Sequence, residues 1–474
     1  MILRIARKEL LDTTRDGRFR LLAALVLFVS VLSLAAGWKH YRDVRQQHDE
    51  AQRDTRAQWL DQGRKNPHSA AHYGVYAFKP RTRLSMVDTG IDPYVGVAAW
   101  LEAHKQNEFK YRPAQDRTAV QRFGELTAAE GFLVLVPLFI VLVTFPAFAG
   151  EREQGTLRQL LSVGVGRRQL AVGKAAGISM ALVLVLVPAT VLGVICLALT
   201  SELALTSAFG SLTSDLPRAM LLGLIYLTYF AIFIGISLGV SARAASSRVA
   251  LVVLLSFWFA NSVIATRAAS DLAAALYPTP SAARFQAAME KDLTDQTDVQ
   301  KRLDARRQEL LRQYNATSID AVPINFSGIS LQEGEEHGNA VFDRHYVKLF
   351  DVYERQNHAY QLTGVAAPLL PVRALSMGLA GTDFAHHRQF VQAAEDYRRA
   401  IQRVMNTDIA EHAKPGAVYT AGPELWQRVP EFRYEAPDAT WVLAHYRWSL
   451  LILAAWLAGS VWFALSGASR AAVE

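Results

Sequence analysis

Six stretches of this chain contain no Asp, Glu, Lys or Arg over at least 18 residues, and Leu, Val, Ile, Phe and Ala dominate each of them. A helix of that length crosses the roughly 30 Å hydrocarbon core of a bilayer with its backbone hydrogen bonds formed internally. Six such lengths in one chain argue against buried helices of a large soluble core. The predicted membrane-spanning helices are 21–38, 131–150, 175–201, 219–242, 249–266 and 448–469.

The overall composition agrees with a membrane protein that also carries large soluble parts, because 51% of the chain is hydrophobic and 20% is charged. The single cysteine, Cys196, lies inside an apolar stretch, which excludes a disulfide within the chain and a multi-cysteine zinc site. The N-terminal segment is too long and too acidic for an ordinary cleaved signal. We therefore predict that the first apolar stretch is retained as a membrane helix.

The distribution of Lys and Arg predicts the orientation in the membrane. With a cytoplasmic N-terminus, the inner segments are 1–20, 151–174, 243–248 and 470–474, and they hold 14 basic and 6 acidic residues. The rest of the chain holds 36 basic and 37 acidic residues. Because the positive excess lies entirely on one side, both termini are predicted to be cytoplasmic. The membrane topology then accounts for the net positive charge of the chain, and we expect no nucleic-acid partner.

Two long polar insertions separate the membrane helices and fall on the periplasmic side in this orientation. The first, 39–130, begins with a polar segment of helical composition that we expect to extend the first membrane helix as a stalk, followed by short pieces typical of strands or turns. The fold class predicted is mainly α: a polytopic membrane protein with six transmembrane helices plus a mixed, mostly helical periplasmic domain formed by both insertions.

The second insertion, 267–447, has apolar residues at helical spacing in three segments and Gly- and Pro-marked segments between them. The helical pattern covers 281–314, 339–362 and 383–412. We predict that the two intervening segments, 325–339 and 365–383, are loops or linkers.

The motifs of common nucleotide-binding and hydrolytic sites are absent from the sequence. There is no G-x-x-x-x-G-K-[ST] phosphate loop, no G-x-S-x-G elbow and no H-E-x-x-H helix. The apolar stretches also lack the carboxylates of a proton-driven pump. We therefore predict that the chain is not an enzyme and that its energy comes from outside the bilayer.

Two groups of histidines offer a metal-binding alternative. His68 and His72 are four residues apart, and His386 and His387 precede Glu395 and Asp396 on a predicted helix. A metal site needs several converging ligands, and adjacent histidines on a helix point apart. We expect structural or exposed histidines and no metal site, while a membrane-anchored metal hydrolase stays open as the enzyme hypothesis.

Two local features of the membrane part leave their role open. Prolines 137, 146 and 188 interrupt the second and third apolar stretches, where they act either as hinges or as simple packing kinks. Near the N-terminus, apolar side chains recur on one helical face, which favours an amphipathic helix in the cytoplasmic interface over an ordinary solvated extension. That face consists of Ile2, Leu3, Ala6 and Leu10.

The sequence GEREQGTLRQLL, residues 150–161, directly follows the second apolar stretch with three charges and a short amphipathic segment. Thr156 and Gln159 match a capping box, and Gly164 and Gly166 follow the apolar residues, so we predict a helix of one to two turns. A helix this short needs a packing partner. Its leucines pack on the chain's own bundle or on lipid, or they dock into a groove of another protein.

This segment, with the GRRQLxxGK sequence after it, resembles the E-R-x-x-G-T-L-E-x-L-L hallmark of type-2 ABC exporter permeases. The chain has Arg158 where that family commonly has an acidic residue, and Gly164 to Arg167 replace its Pro-Val-Ser-Arg. The resemblance implies a coupling helix that contacts ABC ATPase subunits, with ATP and Mg²⁺ in the ATPase and no cofactor in this chain. The ATPase-coupling residues implied are Glu151, Arg152, Gly155, Thr156, Leu157, Leu160 and Leu161.

The insertions carry further motifs, HYGVYAFKP at 72–80, DTGIDPYVG at 88–96, WLEAHKQN at 100–107, LAGTDFAHHRQF at 379–390 and AEDYR at 394–398. They resemble a bacterial subfamily with large periplasmic insertions, related to permeases of nitrous-oxide-reductase maturation and gliding motility. The resemblance implies an inner-membrane permease that works with a second permease, identical or paralogous. Two functions stay open: ATP-driven export, or mechanical action on a periplasmic partner without a transported substrate.

Overall fold

The computed structural model describes residues 1–110, 112, 127–200, 205–414 and 417–470, and of 205–214 it describes the backbone only. Parts of four predicted segments lie outside the described residues. They are the last residue of the third membrane helix, 111 and 113–126 of the first insertion, 415–416 of the second insertion, and 471–474 of the C-terminal segment.

Six helices of the described chain are long and apolar enough to cross a membrane, and each of the six predicted stretches falls on one of them. The chain is mainly α-helical and polytopic, as predicted from the charge-free stretches. The six spans are Gly17–Leu60, Ala128–Glu153, Arg167–Leu199, Asp215–Arg243, Ser247–Leu276 and Arg447–Arg470.

The described residues form helices that are numbered in chain order. The first eleven are α1 (Ile2–Arg15), α2 (Gly17–Leu60), α3 (Pro67–Tyr73), α4 (Ala128–Glu130), α5 (Val136–Thr144), α6 (Ala149–Glu153), α7 (Thr156–Ser162), α8 (Arg167–Leu199), α9 (Leu205–Arg243), α10 (Ser247–Phe259) and α11 (Ala265–Leu276). The remaining helices are α12 (Ala282–Thr294), α13 (Thr297–Gln313), α14 (Phe326–Leu362), α15 (Leu369–Ala380), α16 (Phe384–His412), α17 (Pro423–Trp426), α18 (Ala439–His445) and α19 (Arg447–Arg470).

Two of the six spans contain a wide π-helical turn. Gly131–Leu135 joins α4 to α5, and Ala260–Ile264 joins α10 to α11. Side chains of neighbouring helices bond to the backbone of the first turn: Tyr229 donates its hydroxyl to the Leu133 carbonyl at 3.2 Å. Such contacts satisfy backbone groups that a bilayer leaves without water.

The N-terminal helix α1 packs across the start of α8, and two glycines of α8 make this possible. A side chain at Gly173 would meet Ile5 at 2.6 Å, and one at Gly177 would meet the Ala6 carbonyl at 2.6 Å. The helix is present as predicted, and its predicted apolar face is buried only in part. Ala6 of that face is buried and Leu3 is 82% exposed, while Ile5, outside the predicted face, is buried beside Gly173 of α8.

The two insertions form one composite domain at the end of the membrane helices away from α1. Its sheet has three antiparallel strands in the order β1 (Val75–Phe78), β2 (Ala98–Glu102) and β3 (Lys105–Gln106). One hydrophobic core unites Trp59 and the sheet with Phe390 and Trp426 of the second insertion. The stalk expected after the first apolar stretch is confirmed, because α2 runs without a break to Leu60.

Two segments predicted as loops are helical. Residues 326–339 form the beginning of α14, where Gly328 allows close packing, since a side chain there would lie 2.5 Å from the Ala410 nitrogen. Residues 369–380 form α15, with Pro371 in its first turn and almost every residue buried. In these segments the glycine allows close packing of two helices and the proline lies at the start of a helix, so neither residue forms the predicted loop.

Candidate functional site at the junction of the membrane helices

The second membrane helix breaks just before the segment GEREQGTLRQLL. Pro146 lies in the turn between α5 and α6, and the fully buried Ser241 of α9 bonds to the broken backbone. Its hydroxyl accepts hydrogen bonds from the Phe148 and Ala149 amides at 3.0 and 3.2 Å and donates to the Phe145 carbonyl at 2.7 Å. These hydrogen bonds hold the break in a fixed geometry, which sets the direction of α6.

Glu151, the first charge of α6, joins α6 to α8 and α1. Its carboxylate lies 2.9 Å from the Lys174 ammonium, which is 2% exposed and lies 2.9 Å from the Glu9 carboxylate as well. Lys8 lies 3.6 Å from the same Glu151 oxygen. A buried ammonium is stable only when carboxylates compensate its charge, so α1, α6 and α8 depend on one another here.

Arg152, the second charge, binds the end of α9. Its guanidinium donates to the Ala244 carbonyl at 2.5 Å and to the Ala242 carbonyl at 2.7 Å. The last carbonyls of a helix have no partner within the helix and carry its partial negative charge. Arg152 therefore attaches α6 to the C-terminal end of the fourth span.

Glu153, the third charge, binds the beginning of α10. Its two carboxylate oxygens accept from the Ser247 amide at 2.8 Å and from the Ser247 hydroxyl at 2.6 Å. A carboxylate at a helix N-terminus satisfies a free amide and complements the helix dipole. Three consecutive charged residues thus connect the second span to the ends of the third, fourth and fifth.

Helix α7 follows after a sharp turn at Gly155, whose φ of 74° is the left-handed conformation that favours glycine. The predicted capping box does not form. Gly155 occupies the N-cap position, and Thr156 instead donates its hydroxyl to the Glu151 carbonyl at 3.2 Å. The threonine therefore stabilises the turn between α6 and α7 rather than the first amides of α7.

The leucines of α7 face the chain's own membrane helices. Leu157 is 2% exposed, and Leu160 and Leu161 are half-buried against the same core. The interpretation of three leucines as a surface free for a partner is therefore revised. The exposed surface of α7 and its C-cap residue, here called the α7 face, consists of Arg158, Gln159, Ser162 and Val163.

The end of α7 follows a Schellman motif. Gly164 has a φ of 83°, its amide bonds to the Leu161 carbonyl at 3.1 Å, and the Val165 amide bonds to the Leu160 carbonyl at 3.3 Å. The predicted stop at Gly164 is confirmed. Gly166 instead caps the start of α8, so the two glycines end one helix and begin the next.

Sequence reasoning missed several residues of this junction, which are Glu153, Lys174, Ser241 and Ser247. Lys174 and Glu153 were visible as charges bordering apolar stretches, where a charge is expensive unless it is paired. The serines gave no signal, because their role comes from distant helices that meet only in the folded chain.

The two predicted histidine groups have different environments. His386 and His387 point apart: His386 lies 2.5 Å from the Asp383 carboxylate, while His387 packs against the Phe109 and Phe384 rings. Burial lowers the pKa of His387 to about 3. His68 and His72 converge with His104, which the sequence did not identify as a possible metal ligand.

The chain is similar to known membrane transport proteins. Residues 3–319 match the family described as ABC-2 family transporter protein, and residues 282–435 match a domain of unknown function (DUF3526). Over 141 residues the chain is 32% identical to the probable ABC transporter permease protein NosY of Pseudomonas aeruginosa. That similarity covers 29% of this chain and 46% of the relative, less than half of its length.

Proposed function

The chain belongs to the ABC-2 family of transporter proteins as a membrane permease subunit, and we propose that a separate ABC ATPase drives it through α6 and α7. The observation that carries this proposal is the run of three charges, each bound to a different membrane helix. ATP and Mg²⁺ belong to the partner ATPase in this account, because the chain has no phosphate-loop sequence.

The proposal places the α7 face in the cytoplasm, where an ATPase can reach it. The excess of Lys and Arg in 1–20, 151–174 and 243–248 supports this orientation. Both termini are then cytoplasmic, the composite domain is periplasmic, and the membrane is the inner membrane of a bacterium.

In the proposed mechanism, closure of the ATPase displaces α7 and the displacement passes to the membrane helices through α6. Leu157, Leu160 and Leu161 hold α7 on the bundle, while Gly155 and Thr156 fix its angle to α6. Glu151 and Arg152 then act on α8 and α9. Because each bond ends on a different helix, a small movement of α6 changes the relative positions of several spans.

The stalk extends this movement into the composite domain. Helix α2 has 44 residues, about 66 Å at 1.5 Å per residue, so it is one rigid element from the membrane to the domain. Near its end, the Trp59 indole donates to the Trp426 carbonyl at 2.9 Å and Arg56 donates to the Val429 carbonyl at 2.8 Å. These contacts favour rearrangement of the domain as one output of ATP hydrolysis.

Transport and purely mechanical action remain two versions of the proposal. A cavity of about 910 Å³ between α2, β1 and the start of the fourth span supports the transport version. The continuous stalk supports the mechanical version, in which the domain acts on a periplasmic partner and no substrate crosses. In both versions a second permease, identical or paralogous, completes the assembly on two ATPase subunits.

The proposal is tested by co-purification of the partner ATPase with permease variants in detergent. Arg158→Glu combined with Val163→Asp alters the α7 face without touching the buried leucines, and Val163 is 72% exposed. We expect the permease to insert and fold normally and to lose most of the bound ATPase.

The control is Arg267→Glu, which makes the same charge reversal as Arg158→Glu at an exposed residue of α11 near the opposite end of the membrane domain. It should retain the ATPase. Equal ATPase recovery from the double variant and the native chain would show that α7 is not the docking surface.

A further inference from the structure

Three histidines of the first insertion converge at the surface of the composite domain. His68 and His72 lie one turn apart on α3, and His104 lies in the turn between β2 and β3. The Nε2 atom of His68 is 3.2 Å from the Nε2 atoms of both His72 and His104. The three ligand atoms all lie within 4.8 Å of one another.

The two nitrogen distances match the spacing of ligands around one tetrahedral ion. With zinc–nitrogen bonds of about 2.0–2.1 Å, tetrahedral ligands are about 3.3 Å apart. Hydrogen bonding alone satisfies the cluster less well, because His68 Nε2 carries at most one hydrogen and has two close nitrogen neighbours. A cation that accepts a lone pair from each ring satisfies all three.

A buried carboxylate orients one of these rings. Glu335 of α14 is 2% exposed, and its carboxylate lies 2.6 Å from His104 Nδ1. The same carboxylate accepts from the Gln402 amide at 2.5 Å and lies 3.9 Å from Arg398. A carboxylate on Nδ1 leaves Nε2 free as a metal ligand, which is the usual outer shell of a metal-bound histidine.

The backbone of His104 also supports this arrangement. Its φ is 65°, a left-handed conformation that glycine or asparagine adopts more easily than histidine. The Glu335 carboxylate accepts the His104 backbone amide at 3.2 Å as well, so the turn is held by the same residue that orients the ring.

We propose that His68, His72 and His104 bind a divalent transition metal ion of the Zn²⁺ class, with Glu335 as the positioning residue for His104. Three imidazoles are ligands that suit zinc, and His72 and His104 are exposed, so the fourth position opens to solvent. The three ligands come from the first insertion and Glu335 from the second, so the contact between Glu335 and His104 joins the site to α14.

The test uses the full-length protein in detergent, purified through an affinity tag without histidine, stripped with a chelator and dialysed. Zn²⁺ is then titrated with metal analysis of the protein fraction, and Co²⁺ is added separately for its visible spectrum. We expect about one Zn²⁺ per chain and the absorption of tetrahedral Co²⁺. Zn²⁺ should also raise the thermal unfolding midpoint of the native protein.

Three variants separate a metal site from a merely structural cluster. His72→Ala removes an exposed ligand and should weaken Zn²⁺ binding by more than about 100-fold, while Glu335→Gln should weaken it by about 10- to 100-fold. His412→Ala, at an exposed histidine outside the cluster, should bind Zn²⁺ as the native chain does.

The metal-free unfolding midpoint of His72→Ala should equal that of the metal-free native protein, which establishes that the variant is folded. The proposal is overturned if the native protein takes up no Zn²⁺, or if His72→Ala and the native protein bind it equally. Both readouts are independent of any ATPase partner.

Discussion

The junction of the membrane helices and the composite domain both bury charged side chains, but they arrange them differently. At the junction, neighbouring residues of α6 each reach a different helix: Glu151 binds Lys174 of α8, and Arg152 binds the end of α9. In the domain, one residue gathers several partners, since Arg398 lies 2.8 Å from Glu395 and 2.5 Å from the Asn339 side chain. The first arrangement links separate elements, and the second fixes one core.

The largest expected effect concerns the ammonium shared by α1, α6 and α8. Lys174→Met leaves Glu9 and Glu151 close together without their cation, which should lower the free energy of unfolding by about 3–5 kcal/mol. The measurement is unfolding of the purified permease in mixed micelles. Lys8→Met, at a residue 53% exposed, should cost less than about 1 kcal/mol. Equal losses in the two variants would contradict a special role for Lys174.

The next largest effect concerns the composite domain, whose stability should depend on pH through His387. Burial lowers the pKa of His387 to about 3 from 6.5, so the folded chain keeps it neutral while the unfolded chain binds a proton below pH 6.5. Stability therefore falls as the pH falls, by about 2 kcal/mol from this residue at pH 5. Unfolding midpoints at pH 7 and pH 5 measure the loss.

The matched variant for this effect is His387→Phe, which keeps an aromatic ring beside Phe109 and Phe384. Its loss of stability between pH 7 and pH 5 should be smaller than that of the native protein. An unchanged loss would mean that His387 does not carry this pH dependence.

The smallest expected effect lies at the end of α7. Gly164→Ala places a side chain at a φ of 83°, which should destabilise the Schellman turn by about 1 kcal/mol. Faster amide hydrogen exchange confined to α7 is the expected result. Gly459→Ala, at a helical glycine of α19 with open space around it, should leave exchange in α7 unchanged. Similar exchange of α7 in both variants would exclude Gly164 as its stop.

The sequence was sufficient for the elements whose signal is local. Charge-free length predicted six spans, and the glycine after Leu161 predicted the end of α7. Prediction was weaker where tertiary contacts decide the result. From the sequence, Gly328 indicates a loop, whereas in the structure it lets α16 pack closely against α14. The histidine cluster shows the same limit, since His104 joins His68 only through the pairing of β1 with β2 and the position of α3.

The junction itself was predictable as a segment but not as a network. GEREQGTLRQLL identified the short helix and its turn, whereas the direction in which its leucines point depended on the membrane helices beneath them. A repeat of three hydrophobic residues on so short a helix fits a bundle surface and a foreign groove equally well. The burial of Leu157 against the chain's own membrane helices distinguishes these two alternatives.

Thiol cross-linking tests most directly whether the ATPase engages α7. Because Cys196 is the only cysteine and lies in the third membrane helix, Val163→Cys in a Cys196→Ala background offers one exposed thiol on the α7 face. With a short cross-linker that carries a maleimide for this thiol and a photoactivated benzophenone that inserts into nearby C–H bonds, this protein should form a covalent adduct with the partner ATPase on illumination, and Arg267→Cys in the same background should not. An adduct through residue 267 and none through residue 163 would contradict the account.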